Sequence, residues 1–415
     1  MGAAIRTYLL NDRAFMLAML ILAAAGAVLA RSALGPFQDA VGRSLSLNDN
    51  QVALLQGPAL ALPLLLSAIP LGLLVDRYRR VWILMGALAA AALGTAATAW
   101  APSFNSLFLA RSVVGLAAPA TAVVAASIIG DRFSPDQRGR ANMLIALGQV
   151  TGIATAFAES AFYGTDGAHA VGWRPAMWHL SVVLGILASL CLLMPEPRRS
   201  EIVPSAAHSN SWAALWSMRS LILPLLAGAS LVAIADGAAL IWLSPLLLRQ
   251  YGESASRAGP IVALVIFGGG LSGPLMGGVI ADWTQRVGGA RWTMKAAALL
   301  ASLSAVTGLF PLVPVVAGSV ALMLLFMAFG AGINVIVTAL LTIILPNELR
   351  GRCLAALWAL AAIFGLGLAP LTVSFLSTTF KPSMSLGHAL SFVTVLTGLI
   401  GAAAFLLGAR SGNES

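Results

Sequence analysis

Long runs without a single Asp, Glu, Lys or Arg, separated by short clusters of arginine, glycine and proline, set the pattern of this chain. Residues 52–75, 81–110, 112–130, 258–281, 353–380 and 382–409 are free of charge, and 296–347 is one uncharged stretch of 52 residues. A membrane-spanning helix needs about 20 mostly apolar residues. As a single helix the 52-residue stretch would measure about 78 Å at 1.5 Å per residue, against a hydrocarbon core of about 30 Å. It must fold back once, and Pro311 and Pro314 mark the reversal because proline breaks a helix interior. The pattern predicts an all-α protein of twelve spans near 14–36, 51–74, 81–101, 105–130, 141–163, 176–195, 220–247, 258–281, 293–312, 316–344, 353–377 and 389–408.

Composition agrees with a lipid-facing surface. Of 415 residues, 59% are hydrophobic and only 9% charged, where a soluble domain carries about 25% charged residues. The net charge of +9 would fit a nucleic-acid partner only if the cations formed one patch, and they are dispersed between spans. With the N-terminus in the cytoplasm, 17 of the 24 Lys and Arg fall inside, which matches the positive-inside rule. The expected setting is a bacterial-type cytoplasmic (inner) membrane with both termini cytoplasmic, a monomer, and no nucleic acid. Arg6 and Arg13 before an apolar run also have the make-up of a signal peptide, but cleavage would spoil the even span count. Cys191 and Cys353 fall in or beside spans as packing residues, and no metal or disulfide motif is present.

The chain repeats itself. Gly72-Leu-Leu-Val-Asp76-Arg77-Tyr-Arg79-Arg80 follows the second span, and Gly278-Val-Ile-Ala-Asp282, then Arg286, follows the eighth. Pro135-Asp-Gln-Arg138-Gly139-Arg140 follows the fourth, and Pro346-Asn-Glu-Leu-Arg350-Gly351-Arg352 the tenth. The offsets, 206 residues between the aspartates and 212 between the arginines, are close to half the chain. Two six-helix, pseudo-symmetric halves are expected at 1–195 and 220–415, joined by a cytoplasmic linker at 196–219. Repeated halves about a central site are a transporter architecture.

These motifs resemble the major facilitator superfamily over the whole chain. Gly72 to Arg80 is similar to its loop motif, with Arg79 where a second glycine is usual. Arg111-Ser-Val-Val-Gly115 resembles its fourth-helix pattern, and Gly172-Trp173-Arg174 its entry to the sixth helix. Arg31, 18 residues before Asp49, and Trp242-x-x-Pro245-x-x-Leu248-Arg249-x-x-Gly252 resemble the spinster-like and anion–cation symporter branches, although Ala30 stands where those branches usually have aspartate. The resemblance implies alternating access, a cavity lined by spans 1, 4, 7 and 10, and substrates among organic acids or lipid-derived amphipaths.

Charges inside a membrane are costly and tend to face a cavity or a partner. Arg31 late in span 1, Arg111 two turns into span 4, Asp236 near the middle of span 7 and Asn334 in span 10 would, by the resemblance, face the cavity. Glu159 near the outer end of span 5 and Trp242 in span 7 join them as candidates. Each has a plainer reading. Arg31 can snorkel to the interface, Glu159 can lie beyond its span, and Trp242 can anchor at the aromatic belt. His179 reads as a weak proton group, or as interfacial packing beside Trp173 and Trp178. Asp236 is the one acid near the predicted midplane and so the candidate for proton coupling.

Asp76 and Asp282 leave the membrane beside Arg77, Arg80 and Arg286. A carboxylate there can accept bonds from arginine and cap the next helix, which makes these loops, with Arg138, Arg140, Arg350 and Arg352, candidate gate latches; the plainer reading is topogenic. Gly268-Gly269-Gly270 lacks the lysine of a phosphate loop and reads as helix packing. No Walker motif, nucleophile set or metal-ligand set stands out, so catalytic residues, metals and cofactors are not expected. The function expected is secondary active transport of a small organic, anionic or amphipathic solute, with protons as the coupling ion. A non-transporting receptor or scaffold on the same fold is the main alternative, and a membrane-embedded enzyme the least favoured.

Overall fold

A computed structural model of the protein describes residues 12–163, 172–197, 218–345, 347–381 and 383–411. Most of the predicted linker, 198–217, lies outside the described residues, as does His208. The described residues contain helices and turns and no strand. Among the described residues, eleven helices are long and apolar enough to cross a membrane. One of them, Ala255–Leu312, is 58 residues long and is interrupted at Gly288–Gly289, where Gly289 takes φ +60°. It supplies the predicted spans 8 and 9, so the twelve-span, all-α fold stands.

The uncharged stretch breaks where its prolines predicted. Helix ends at Thr307, a 3-10 turn covers Phe310–Leu312, and the next helix starts at Val316. Three expected boundaries need correction. Span 1 does not end near 36 but runs Arg13–Ser44, because Gly35–Phe37 forms a 3-10 turn and Gln38–Ser44 a further helix. Span 5 begins at Pro135 rather than 141, with proline in the first turn where its missing N–H costs nothing. Span 8 stays helical past 281 to the glycine pair. In each case helical hydrogen bonding continues beyond the expected boundary.

The described residues fall into two compact units, within Met1–Leu55, Ala59–Pro204 and Ser254–Ala263 for the first, and Gln56–Pro58, Ser205–Glu253 and Leu264–Ser415 for the second. The first packs Met16, Leu20, Leu84, Leu88, Val124 and Ile128 in one core; the second packs Leu225, Met294, Ile336, Leu340 and Phe405 in another. Small residues bring spans close, as membrane helices require in the absence of a hydrophobic drive between them. In the first unit Gly148 and Gly152 of span 5 lie on the Ile21 and Ala25 carbonyls of span 1. In the second, Gly269, Gly273 and Gly277 of span 8 form a stripe at four-residue spacing against Met327, Ala328 and Gly332 of span 10. The glycine run at 268–270 is thus a packing surface. Large apolar side chains cover the outside, with Leu66 at 76% and Phe162 at 84% exposure, which water would not favour and lipid does. Cys191 and Cys353 are free and buried.

Candidate functional site

In the first unit the arginines of spans 1 and 4 meet. Span 4 starts at a capping box in which Ser103 and Ser106 satisfy each other's backbone N–H groups. It breaks regular helix at Gly115, where an added Cβ would strike the Leu60 carbonyl at 2.7 Å. One turn before that close approach, Arg111 is fully buried. Its guanidinium donates to the Ala30 carbonyl at 3.0 Å and to the Arg31 carbonyl. Regular helix in span 1 ends at Ser32, so these are last-turn carbonyls short of intrahelical donors, and Arg111 supplies the missing bonds. The Arg31 side chain has no hydrogen bond or ion pair among the described residues. The apolar stretch runs on to Ser44, past the break in regular helix after Ser32. The same extension brings Gln38 and Asp39 into the span, both buried. Asp39 was missed because Gly35-Pro36 reads as a span end.

Glu159 and His179 come together at the ends of spans 5 and 6, Nδ1 to Oε1 at 2.5 Å. Glu159 is buried, the His179 side chain half-exposed, and Tyr163 lies 5.9 Å from the imidazole. Sequence reading placed both residues as candidates without joining them. Beside them Trp173 donates to Ser44 at 3.2 Å and Arg174 to the Ala99 and Ala101 carbonyls.

In the second unit Asp236 packs directly on Gly330 of span 10, where any added Cβ would meet the carboxylate. Its Oδ1 is buried and makes no hydrogen bond. Asn334, one turn beyond Gly330, is exposed and donates from Nδ2 to the Gly330 carbonyl at 3.2 Å. Spans 7 and 11 cross at closest range where Gly237 faces the Gly365 carbonyl, inside a π-helical segment Ala362–Leu368 that precedes Pro370. Trp242 ties this crossing, donating from its indole to the Pro370 carbonyl at 3.2 Å. Its exposure is 0%, so neither the belt anchor nor a free stacking surface describes it; Trp242 pins span 7 to span 11.

The loop motifs behave differently in the two units. Arg80 is a buried hub: it pairs with Asp131 at the end of span 4 and with Glu196 beyond span 6, and donates to Ser127 at 3.0 Å and to the Pro197 carbonyl at 2.8 Å. Glu196 also accepts from the backbone N–H groups of Arg80 and Val81. The carboxylate that caps span 3 is therefore Glu196 and not Asp76, which is exposed at the end of span 2 together with Arg77. In the second unit Asp282 and Arg286 are exposed. Gly72 and Gly278 have open space around them, so packing does not demand glycine at either position. Arg138 donates to the Phe133 carbonyl at 3.1 Å, and Arg350 to the Leu345 carbonyl at 3.4 Å, each five residues back. The repeated motif thus closes the end of the preceding span in both units. Arg140 and Arg352 point outward.

Removing Arg80 leaves two acids without their shared cation. An Arg80→Gln protein is expected to lose about 2–4 kcal/mol, read as a fall in thermal unfolding temperature in detergent, whereas Arg79→Gln at the exposed neighbour should stay within about 0.5 kcal/mol. Equal melting of Arg80→Gln and wild type would remove the hub.

A twelve-span helical protein with duplicated loop motifs and unneutralised charges inside its spans has the architecture of a membrane transporter. A family model described as the Major Facilitator Superfamily matches residues 20–357, and the chain belongs to that family. It is an integral membrane protein. The 3-(3-hydroxy-phenyl)propionate transporter of Escherichia coli (strain K12) is 31% identical over 230 residues, 53% of this chain and 53% of that protein. Protein spinster homolog 1 of Rattus norvegicus is 27% identical over 220 residues, 49% of this chain and 40% of that protein. The matches thus span about half the length of these curated relatives or less. A bacterial homologue of the human lysosomal transporter Spinster superposes with a TM-score of 0.83 at 20% identity, covering 98% of each chain. The nucleoside transporter NupG superposes with a TM-score of 0.72 at 12% identity, covering 94% of this chain and 98% of that one. These two structures speak for the fold.

Proposed function

We propose that the protein is a secondary transporter that carries a small organic anion by alternating access, with a proton as coupling ion. The observation that carries this reading is the arginine pair of the first unit. Arg111 is held by two backbone carbonyls and Arg31 has no protein partner among the described residues. Arginine has no accessible neutral form, so an anion or the anionic part of an amphipath is the natural complement. The Escherichia coli relative, named for a propionate, supports a carboxylate. Asp236, with Asn334 nearby, is the proposed proton site. Glu159 with His179 is a further titratable pair in the first unit, and the loops around Arg80, Arg138 and Arg350 are the proposed latches. The working halves are 1–195 and 220–415 about the linker 196–219.

The protein in proteoliposomes with an acidic exterior is expected to accumulate 3-(3-hydroxyphenyl)propionate and to leave an amine of similar size outside. A simple cation as the best solute, or no flux of any solute, would end this reading. A bacterial-type cytoplasmic membrane, with both termini and the linker inside, is supported by the arginine distribution. Reporters at Ser205 and Asn413, both outside the described residues, should then read cytoplasmic together.

A further inference from the structure

One end of the second unit is basic and aromatic. Met294 at the start of span 9 packs on Gly408 near the end of span 12, and shares a core cluster with Ala409 and with Ile222 near the start of span 7. Three helix ends therefore meet there, and each carries cations: Arg291 and Lys295 flank Met294, Arg219 precedes Ile222 by one turn, and Arg410 follows Ala409. Arg286 adds another on the hairpin between spans 8 and 9. Arg286 and Arg410 are exposed and have no hydrogen bond or ion pair among the described residues. The hairpin's one acid, Asp282, is exposed and pairs with neither.

The repeat makes this absence of neutralisation informative. Arg286 stands at the offset of 206 from Arg80, and Arg80 is covered by Asp131 and Glu196. By the offset of 212, the position matching Asp131 is Ile343, 58% exposed. The second unit has the cation without an acid at the position matching Asp131. Indoles accompany the cations. Trp283 is 58% and Trp292 42% exposed, and Lys295 Nζ stands 5.0 Å from the Trp292 ring centroid. The Trp292 ring lies against Gly288, so a side chain there would displace it. Tryptophan prefers the headgroup level of a bilayer, and basic pockets between span ends attract anionic lipid headgroups.

We propose that this end of the second unit binds an anionic phospholipid, its phosphate against Arg286, Lys295 and Arg410 and its glycerol region beside Trp283 and Trp292. A purely topogenic role would need the same charges but would give no preference among lipids in a protein already folded. The full chain in neutral detergent, offered phosphatidylglycerol and phosphatidylcholine in equal amounts, should retain phosphatidylglycerol at least about tenfold better by native mass spectrometry. The variant Arg286→Gln/Lys295→Gln/Arg410→Gln should lose that preference, while Arg286→Lys/Lys295→Arg/Arg410→Lys keeps it. Arg286→Gln alone removes a side chain with no protein partner, and should lower the preference without changing the unfolding temperature. Equal retention of the two lipids, or undiminished preference in the neutralised variants, overturns the proposal. So does inorganic phosphate that stabilises the protein against heat as well as phosphatidylglycerol, since the site would then be for a free anion. None of these readouts uses solute flux, so the outcome is separate from that of the transport reading.

Discussion

Arg31→Gln is expected to leave the protein as stable as wild type and to weaken carboxylate binding about 30-fold or more. The Arg31 side chain makes no protein bond among the described residues, so its loss removes charge and little else. Truncating one partner of a buried charge pair with a ligand costs about 2–5 kcal/mol, and every 1.4 kcal/mol is tenfold. Arg111→Gln should lose binding at least as completely, but it also strips the Ala30 and Arg31 carbonyls of their donors. Hydrogen bonds from a charged group contribute about 1.5–3 kcal/mol each, so this variant should melt lower as well. The contrast separates electrostatics from architecture. Isothermal titration and thermal unfolding on the two purified variants read both quantities. If Arg31→Gln binds organic carboxylates like wild type, the first unit is not an anion site, and Arg111 is a structural tie alone.

The span count was legible because lipid enforces it. A run of 20 residues without a charge has few other uses, and Pro311 with Pro314 could be read directly as the reversal in the longest run. Duplication was legible too, since Arg138 and Arg350 each open an Arg-Gly-Arg a few residues after a proline and close their spans in the same way. Long-range pairing was not. Arg80 finds Asp131 and Glu196 at separations of 51 and 116 residues, and nothing in the Gly72–Arg80 motif says which acid will cover its last arginine. Asp76 was the nearest carboxylate in sequence and so drew the capping role that Glu196 performs.

Local ambiguity explains the rest. Gly35-Pro36 reads as the end of a span, and instead introduces a tight turn followed by a further helix, which hid Gln38 and Asp39. Trp242 near the end of a span looks like a belt residue until its partner on span 11 is known. Glu159 and His179 were each visible as unusual in an apolar setting, yet only the packing of spans 5 and 6 joins them. A rule follows for chains of this kind. Intramembrane polar residues can be found from sequence, but whether each is paired or waiting for a ligand requires the fold.

Asp236→Asn is expected to uncouple the transporter from a proton gradient without stopping flux. Oδ1 of Asp236 is buried and unpartnered, and no cation is paired with it among the described residues. Holding a charge in such a place without compensation costs several kcal/mol, and one bound proton removes the charge. Gly330 keeps the carboxylate close against span 10, where no side chain competes for the space. An organic monoanion carried with one proton is neutral overall, so a gradient of one pH unit, about 1.36 kcal/mol, supports about tenfold accumulation. Membrane potential alone should add nothing. The amide introduced by Asp236→Asn is close in shape to the native carboxyl group but has no proton to take up and release, so the variant should equilibrate solute across the membrane and stop near a ratio of one. Uptake into proteoliposomes with an imposed pH step, with and without a potential clamp, measures this directly. If Asp236→Asn accumulates solute as well as wild type, the coupling proton is carried elsewhere, and the Glu159–His179 pair is the next place to look. If the pH step drives no accumulation in the wild-type protein, proton coupling itself is wrong.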